Sequence, residues 1–160
     1  MNSKTLRSLS LGAIALSRQF GVRITVEQLE KKISQGQIKS EKELKNTLKE
    51  QGVKVQRLKP SLKTLIDRSY YFPCVALMRD GSARILISCS SNAKNIVEFQ
   101  SIDPLDPTSK VNVENEAEFR RNWVGSVYLI SSETGIASQD RIFDWTWFIP
   151  ELYRFKGLLA

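Results

Sequence analysis

Residues 72–88 read FPCVALMRDGSARILIS, and this stretch decides the fold class. Two β-rich apolar runs, PCVALM and ARILIS, flank Asp80-Gly81. That pair suits the positive-φ geometry of a tight turn, so the segment predicts a β-hairpin. Upstream, Val53 and Val55 alternate with polar residues, with Arg57 next in the same register, which predicts a strand. A short helical turn after Pro60 carries Leu62, Leu65 and Ile66. Downstream, Ile96–Phe99 predicts a third strand and Asp103-Pro-Leu-Asp-Pro107 a rigid loop. Asn115–Arg120 then reads as a brief helix and Val124–Ile130 as a final strand.

The front third is helical instead. Leu6, Leu9, Ala13, Leu16 and Phe20 mark one face of a helix over residues 4–20, which Gly21 ends. Thr25-Val-Glu-Gln28 and Ser40-Glu-Lys-Glu43 both have the form of capping boxes. The second opens a helix with Leu44 and Leu48 inward and Gly52 just past its end. Helices followed by an antiparallel sheet argue an α+β fold rather than an alternating parallel one. A length of 160 residues suits one domain with a proper core.

Composition narrows the function. The histidine count is 0, which removes His-based acid–base catalysis, Ser-His and Cys-His nucleophile pairs, and His-ligated metals. Cys74 and Cys89 make no metal-binding spacing. Cys74, inside an apolar run, reads as a buried, inert thiol, and a reducing compartment suits both. The N-terminal MNSKTLRSLSLGAIALS imitates a secretory signal weakly, since Ser8 and Ser10 break its apolar run and no cleavage site follows. No apolar run approaches the roughly 18 residues of a membrane span. Residues 1–70 carry 15 basic and 6 acidic side chains, whereas residues 71–160 carry 9 and 11. A basic front half suits an anionic partner, and equally a solvated helix surface. Three short helices before a hairpin, with lysines at 31, 32, 39, 42, 45 and 49, make a winged-helix nucleic-acid module an alternative. Its recognition helix would be 41–51, which carries acidic residues and lacks arginine for base edges.

Residues 143–160, FDWTWFIPELYRFKGLLA, hold two of the three tryptophans. Leu152, Phe155, Leu158 and Leu159, with Phe148 before them, follow helical spacing, and Arg154 and Lys156 fall between them. Pro150 suits a first helical turn. The segment fits a helix lying at a membrane surface, and equally a terminal helix packed on its own core. Residues 131–139 are small and polar. The expected organisation is a domain over 1–131, a linker over 132–142 and an amphipathic segment over 143–160.

LGAIALSRQFGVRITVEQL, the helix ending KEQGVKVQRLK, FPCVALMRDGSARILI, IDP, EFRRNWVGSVYLI and FDWTWFIPELYRFKGLL follow one another in a familiar order. This order resembles that of the papain-like cysteine peptidases that trim leader peptides at the front of bacterial peptide-exporting ABC transporters. Nearly the whole chain is similar to their degenerate, peptidase-like relatives at the front of type I secretion ABC transporters of the haemolysin/RTX kind. The resemblance implies a papain-like α+β fold, with N-terminal helices packed on an antiparallel sheet. It puts Ser8 at the cysteine nucleophile (Ser10 in the alternative register), Ala83 at the histidine, Asp103 at the aspartate and the oxyanion glutamine near Asn2. Only the aspartate survives, and a serine without a base is a poor nucleophile. Loss of either coupled group removes most of the rate, so no peptidase activity is expected. Asp103 also reads as a plain turn-forming Asp-Pro.

The resemblance further implies a domain at the cytoplasmic face of a bacterial inner membrane that binds an unfolded RTX-type secretion substrate. Its other partners would be the transmembrane and nucleotide-binding domains of the same transporter; no nucleic acid is expected. No metal or cofactor is expected in this domain, because ATP and Mg²⁺ belong to the nucleotide-binding domain and the chain has no GxxxxGK[ST] loop. Tyr70, Tyr71, Phe72 and Phe99 are the substrate-binding candidates, with core packing as their plainer reading. Trp123 and Tyr128 read as core. Trp145, Trp147, Phe148, Tyr153 and Phe155 are the membrane-proximal candidates. A structural or assembly role within the transporter, without substrate contact, is the alternative.

Overall fold

The structure, a computed structural model, describes residues 3–21, 25–68, 71–106, 108 and 110–132. Helix α1 (Ser3–Ser17) runs into a 3-10 turn (Arg18–Phe20), which Gly21 closes at φ 77°. Helix α2 (Val26–Ser34) opens on a complete capping box. The Gln28 N–H donates to Thr25 Oγ1 at 3.2 Å, and the Thr25 N–H donates to Gln28 Oε1 at 3.4 Å. Helix α3 (Glu41–Glu50) realises only the first arm: the Glu43 N–H donates to Ser40 Oγ, while the Glu43 carboxylate accepts from the Ser40 hydroxyl, each at 3.3 Å.

Then follow β1 (Val53–Leu58), α4 (Leu62–Asp67), β2 (Cys74–Met78), β3 (Ala83–Ser91), β4 (Val97–Ile102), β5 (Val111–Asn115), α5 (Glu116–Asn122) and β6 (Trp123–Ser132). Among the described residues, six strands form one antiparallel sheet in the order β1-β6-β2-β3-β4-β5. The hairpin expected at Asp80-Gly81 is β2–β3, at the centre of this sheet rather than a free wing. Strand β6 runs through Ser132, one residue into the expected linker. Strand β5 was not expected. Among the described strands it pairs with β4 alone, and Val113 is 53% exposed, so its apolar alternation is short and half in water.

The alternation of the strands sorts the core into two layers. Val75, Ile85, Tyr128 and Ile130 pack with α1, α2 and α3, whereas Ala76, Leu86, Phe99 and Val127 pack with Phe119 and Trp123. The expectation of a one-faced first helix needs correction. From Thr5 to Ser17 every residue of α1 except Arg7 is buried, because the helix is wedged between the sheet and the other two long helices. Gly12 permits that close approach, since a Cβ there would stand 3.1 Å from Val75 Cγ2. The buried serines are satisfied by their own helix: Ser10 Oγ donates to the Leu6 carbonyl at 2.6 Å and Ser17 Oγ to the Ile14 carbonyl at 2.8 Å.

Candidate functional site

The first two turns of α1 are tied to the hairpin turn by three side chains. Lys4 Nζ donates to the Asp80 carbonyl at 3.3 Å, Thr5 Oγ1 donates to the Gly81 carbonyl, and Ser8 Oγ accepts from the Ala83 N–H at 2.8 Å. Positions 4, 5 and 8 lie on one side of a helix, so a single helical face meets successive groups of the turn. Ser8 also donates within its own helix, with the Lys4 and Thr5 carbonyls at 3.0 and 3.2 Å. Among the described residues, the partners of its hydroxyl are thus backbone groups. Ser8, and not Ser10, stands against Ala83.

Asp103 lies on the neighbouring strand end. It follows Ile102, the register partner of Ile85, so Ser8, Ala83 and Asp103 gather at one end of the sheet. The Asp103 carboxylate accepts from the Leu105 N–H at 3.0 Å and its carbonyl from the Asp106 N–H at 3.1 Å, which is Asx-turn chemistry.

Charged side chains brace the turn. Asp80 Oδ1 accepts from the Ser82 N–H at 2.9 Å and from the Ser82 hydroxyl at 2.6 Å, and Arg84 lies 3.7 Å from Asp80. Partial burial works against ionisation of Asp80. The Ser82 donors and the Arg84 and Lys4 charges outweigh it and hold the carboxyl below its usual range. A depressed carboxyl contributes stability above its unfolded-state pKa and loses it as pH falls through the folded-state value. The NMR titration midpoint of Asp80 is therefore expected below that of an unfolded aspartate, and Asp80→Asn should flatten the acid limb of the stability profile. An ordinary midpoint would contradict this. Arg84 also reaches Glu114 at 2.9 Å, and the other Glu114 oxygen accepts from Asn122 Nδ2 at 2.8 Å, so Glu114, a residue only 8% exposed, has both carboxylate oxygens engaged.

Beside the Thr5–Gly81 contact runs an open groove of about 590 Å³. Its walls include Glu41, Lys42 and Arg57, with apolar surface from Leu77 and from Val124, which is 48% exposed. Arg57 reaches Glu41 at 3.4 Å and Ser126 Oγ at 3.2 Å, and its guanidinium sits 5.7 Å from the Tyr128 ring centroid. Burial, then Glu41, push the Tyr128 phenol up against the pull of Arg57, so it stays protonated. The sequence signalled this wall only through Arg57, at an inward position of an alternating strand. A larger concavity of about 810 Å³ lies elsewhere, between Ile96 and the first turn of α5.

The aromatic candidates separate from this site. Tyr71 and Phe72 are half-buried beside Cys74, at the opposite end of β2 from the hairpin turn. Phe99 needs correction: it is 1% exposed and stacked on Phe119 at 4.1 Å, with Phe119 on Trp123 at 5.4 Å, so its ring is spent on the core. Trp123 and Tyr128 are core as expected. Asn2, Tyr70, Trp145, Trp147, Phe148, Tyr153 and Phe155 lie outside the described residues. Burial pushes the Cys74 thiol up, and burial with the nearby Glu116 charge pushes Cys89 up to about 11. Among the described residues no group of three or more His, Cys, Asp or Glu could hold a metal, and no helix is long and apolar enough to cross a membrane.

Known proteins share this architecture. The chain is 27% identical over 108 residues to the alpha-hemolysin translocation ATP-binding protein of Proteus vulgaris, covering 66% of this chain and 14% of that one. It is 29% identical over 99 residues to the toxin RTX-I translocation ATP-binding protein of Actinobacillus pleuropneumoniae, covering 61% and 13%. It therefore spans about a seventh of the length of these relatives. Among solved structures, the N-terminal peptidase C39-like domain of a toxin secretion ATP-binding protein from Vibrio parahaemolyticus superposes with TM-score 0.57 at 17% identity, over 82% of this chain and 98% of that one. A double-glycine-motif protease from an AMS/PCAT transporter, in complex with its leader peptide, superposes with TM-score 0.62 at 12% identity, over 82% and 89%. The sequence profile of the peptidase C39 family matches residues 6–135, and the chain belongs to that family.

Proposed function

We propose that this is a peptidase-like domain that binds peptide without cutting it, at the cytoplasmic face of a type I secretion ABC transporter of the RTX-toxin kind. The contact between Ser8 and Ala83 carries the reading. These are the nucleophile and base positions of the resemblance, yet the Ser8 oxygen accepts from a main-chain N–H at 2.8 Å and the chain has 0 histidines. Asp103 then has no imidazole to orient. Relatives named for toxin translocation and a fold neighbour holding a leader peptide support a peptide partner. The groove, with Leu77 and Val124 beside Lys42 and Arg57, offers the apolar and polar mixture that an extended segment uses. Tyr71 and Phe72 offer a second, half-buried surface. ATP and Mg²⁺ belong to the nucleotide-binding domain of the whole transporter.

Two measurements test this. Titrating the chain with an unfolded, calcium-free RTX protein is expected to shift amide resonances along the groove or around Tyr71 and Phe72. Mass spectrometry is expected to show no cleavage of a double-glycine leader peptide, even by Ser8→Cys, because the new thiol gains no base. Unmoved resonances at high substrate concentration would sink the binding, and cleavage products would sink the inactivity.

A further inference from the structure

We infer that the lysine strip of α3 rests on an anionic lipid surface, holding the domain against the membrane beside the end of strand β6. The inference relies on reading residues 143–160 as the membrane-leading segment, and so on the proposed function.

Lys42, Lys45 and Lys49, at spacings of three and four, share one strip of the helix. Leu44 and Leu48, both 0% exposed, anchor the other side. Lys42 and Lys49 are exposed and Lys45 half-buried. None of the three forms an ion pair among the described residues. The acidic neighbours are occupied or turned away: Glu41 pairs with Arg57, Glu43 accepts from Ser40, and Glu50 lies about 100° around the helix from Lys49.

The strip also sits in a telling place. Helix α3 ends at Glu50, and the chain turns through Gly52 into Val53, whose register partner is Ser132, the last residue of β6. Lys49 therefore lies close to the end of β6, and the sequence that follows β6 includes FDWTWFIPELYRFKGLLA. Ten residues, 133–142, separate Ser132 from this aromatic, basic segment in sequence, so a surface that took it would stand no further than roughly 40 Å from the end of β6. Lysine suits such a surface, because compact hydrated ammonium groups on flexible stems match a diffuse headgroup layer. Arginine would suit bidentate recognition of bases or carboxylates better.

The test is co-sedimentation of the full chain with phosphatidylcholine vesicles, with and without phosphatidylglycerol. Lys45→Glu/Lys49→Glu leaves Lys42, which lines the groove, untouched. On anionic vesicles the variant is expected to partition at least about 20-fold more weakly than the parent, as about one factor of five per lysine requires. On neutral vesicles the two should match, and raised salt should erase the difference. Parent and variant share residues 143–160, so equal partitioning of the two on anionic vesicles overturns the inference. Success of the RTX titration with equal vesicle partitioning sinks this inference alone; failure of both sinks the proposed function as well.

Discussion

Replacing Phe119 by alanine is expected to lower the unfolding free energy by about 3–5 kcal/mol. The ring is 1% exposed and stacks between Phe99 and Trp123, at 4.1 and 5.4 Å between centroids. Aromatic contacts of this kind add about 0.5–1.5 kcal/mol beyond the area they bury. The neighbours cannot close the gap. Phe99 is fixed by β3 on one side and β5 on the other, and the Trp123 indole N–H donates to the Ser126 carbonyl at 2.9 Å. At about 2–4 °C per kcal/mol for a domain of this size, the melting temperature should fall by about 6–20 °C. Urea unfolding followed by near-UV circular dichroism measures it. Phe119→Leu should recover part of the loss, and a loss under about 1 kcal/mol for alanine would show that the stack does not organise this layer.

Ser8→Ala is expected to cost about 1–3 kcal/mol, although it removes a single oxygen. Ser8 and Ala83 are both 0% exposed, so the Ala83 N–H loses its acceptor in a place water does not reach. Ser10→Ala is the control. Its hydroxyl donates to a carbonyl of its own helix, which keeps its helical partner when the serine goes, so the change should be close to neutral. Amide exchange at Ala83 should quicken in Ser8→Ala alone. Equal losses in the two variants would mean that the contact between α1 and β3 carries no special weight.

Much of the fold was legible in short-range chemistry. Asp80-Gly81 between two β-rich runs, Thr25 with Gln28, and Gly21 behind a helix each specify local geometry within a few residues, and each forms as expected. What the sequence hid depends on partners distant along the chain. Helix α1 looks one-faced until the sheet and the other helices surround it, and its serines look like breaks in an apolar run until their hydroxyls turn back on the helix. Strand β5 carries too little apolar pattern to announce an edge. Phe99 invites a binding role because the sequence does not reveal that Phe119 lies on it. The Arg84–Glu114 pair and the Arg57 wall of the groove arise only from strand register. Ser8 and Ala83 became a pair through family resemblance, since nothing local marks a serine in a helix and an alanine in a hairpin as neighbours.

The pairing of Val53 with Ser132 has a consequence for how the domain is made. Among the described strands, β1 has no neighbour but β6, so it must wait for the last strand to leave the ribosome. At translation speeds of about 5–20 residues per second, that wait is on the order of ten seconds. Throughout it the backbone edge of β1 that pairs with β6 has no strand partner among the described strands. A chain arrested before β6 therefore carries an unfinished sheet, with one of its edge strands unpaired.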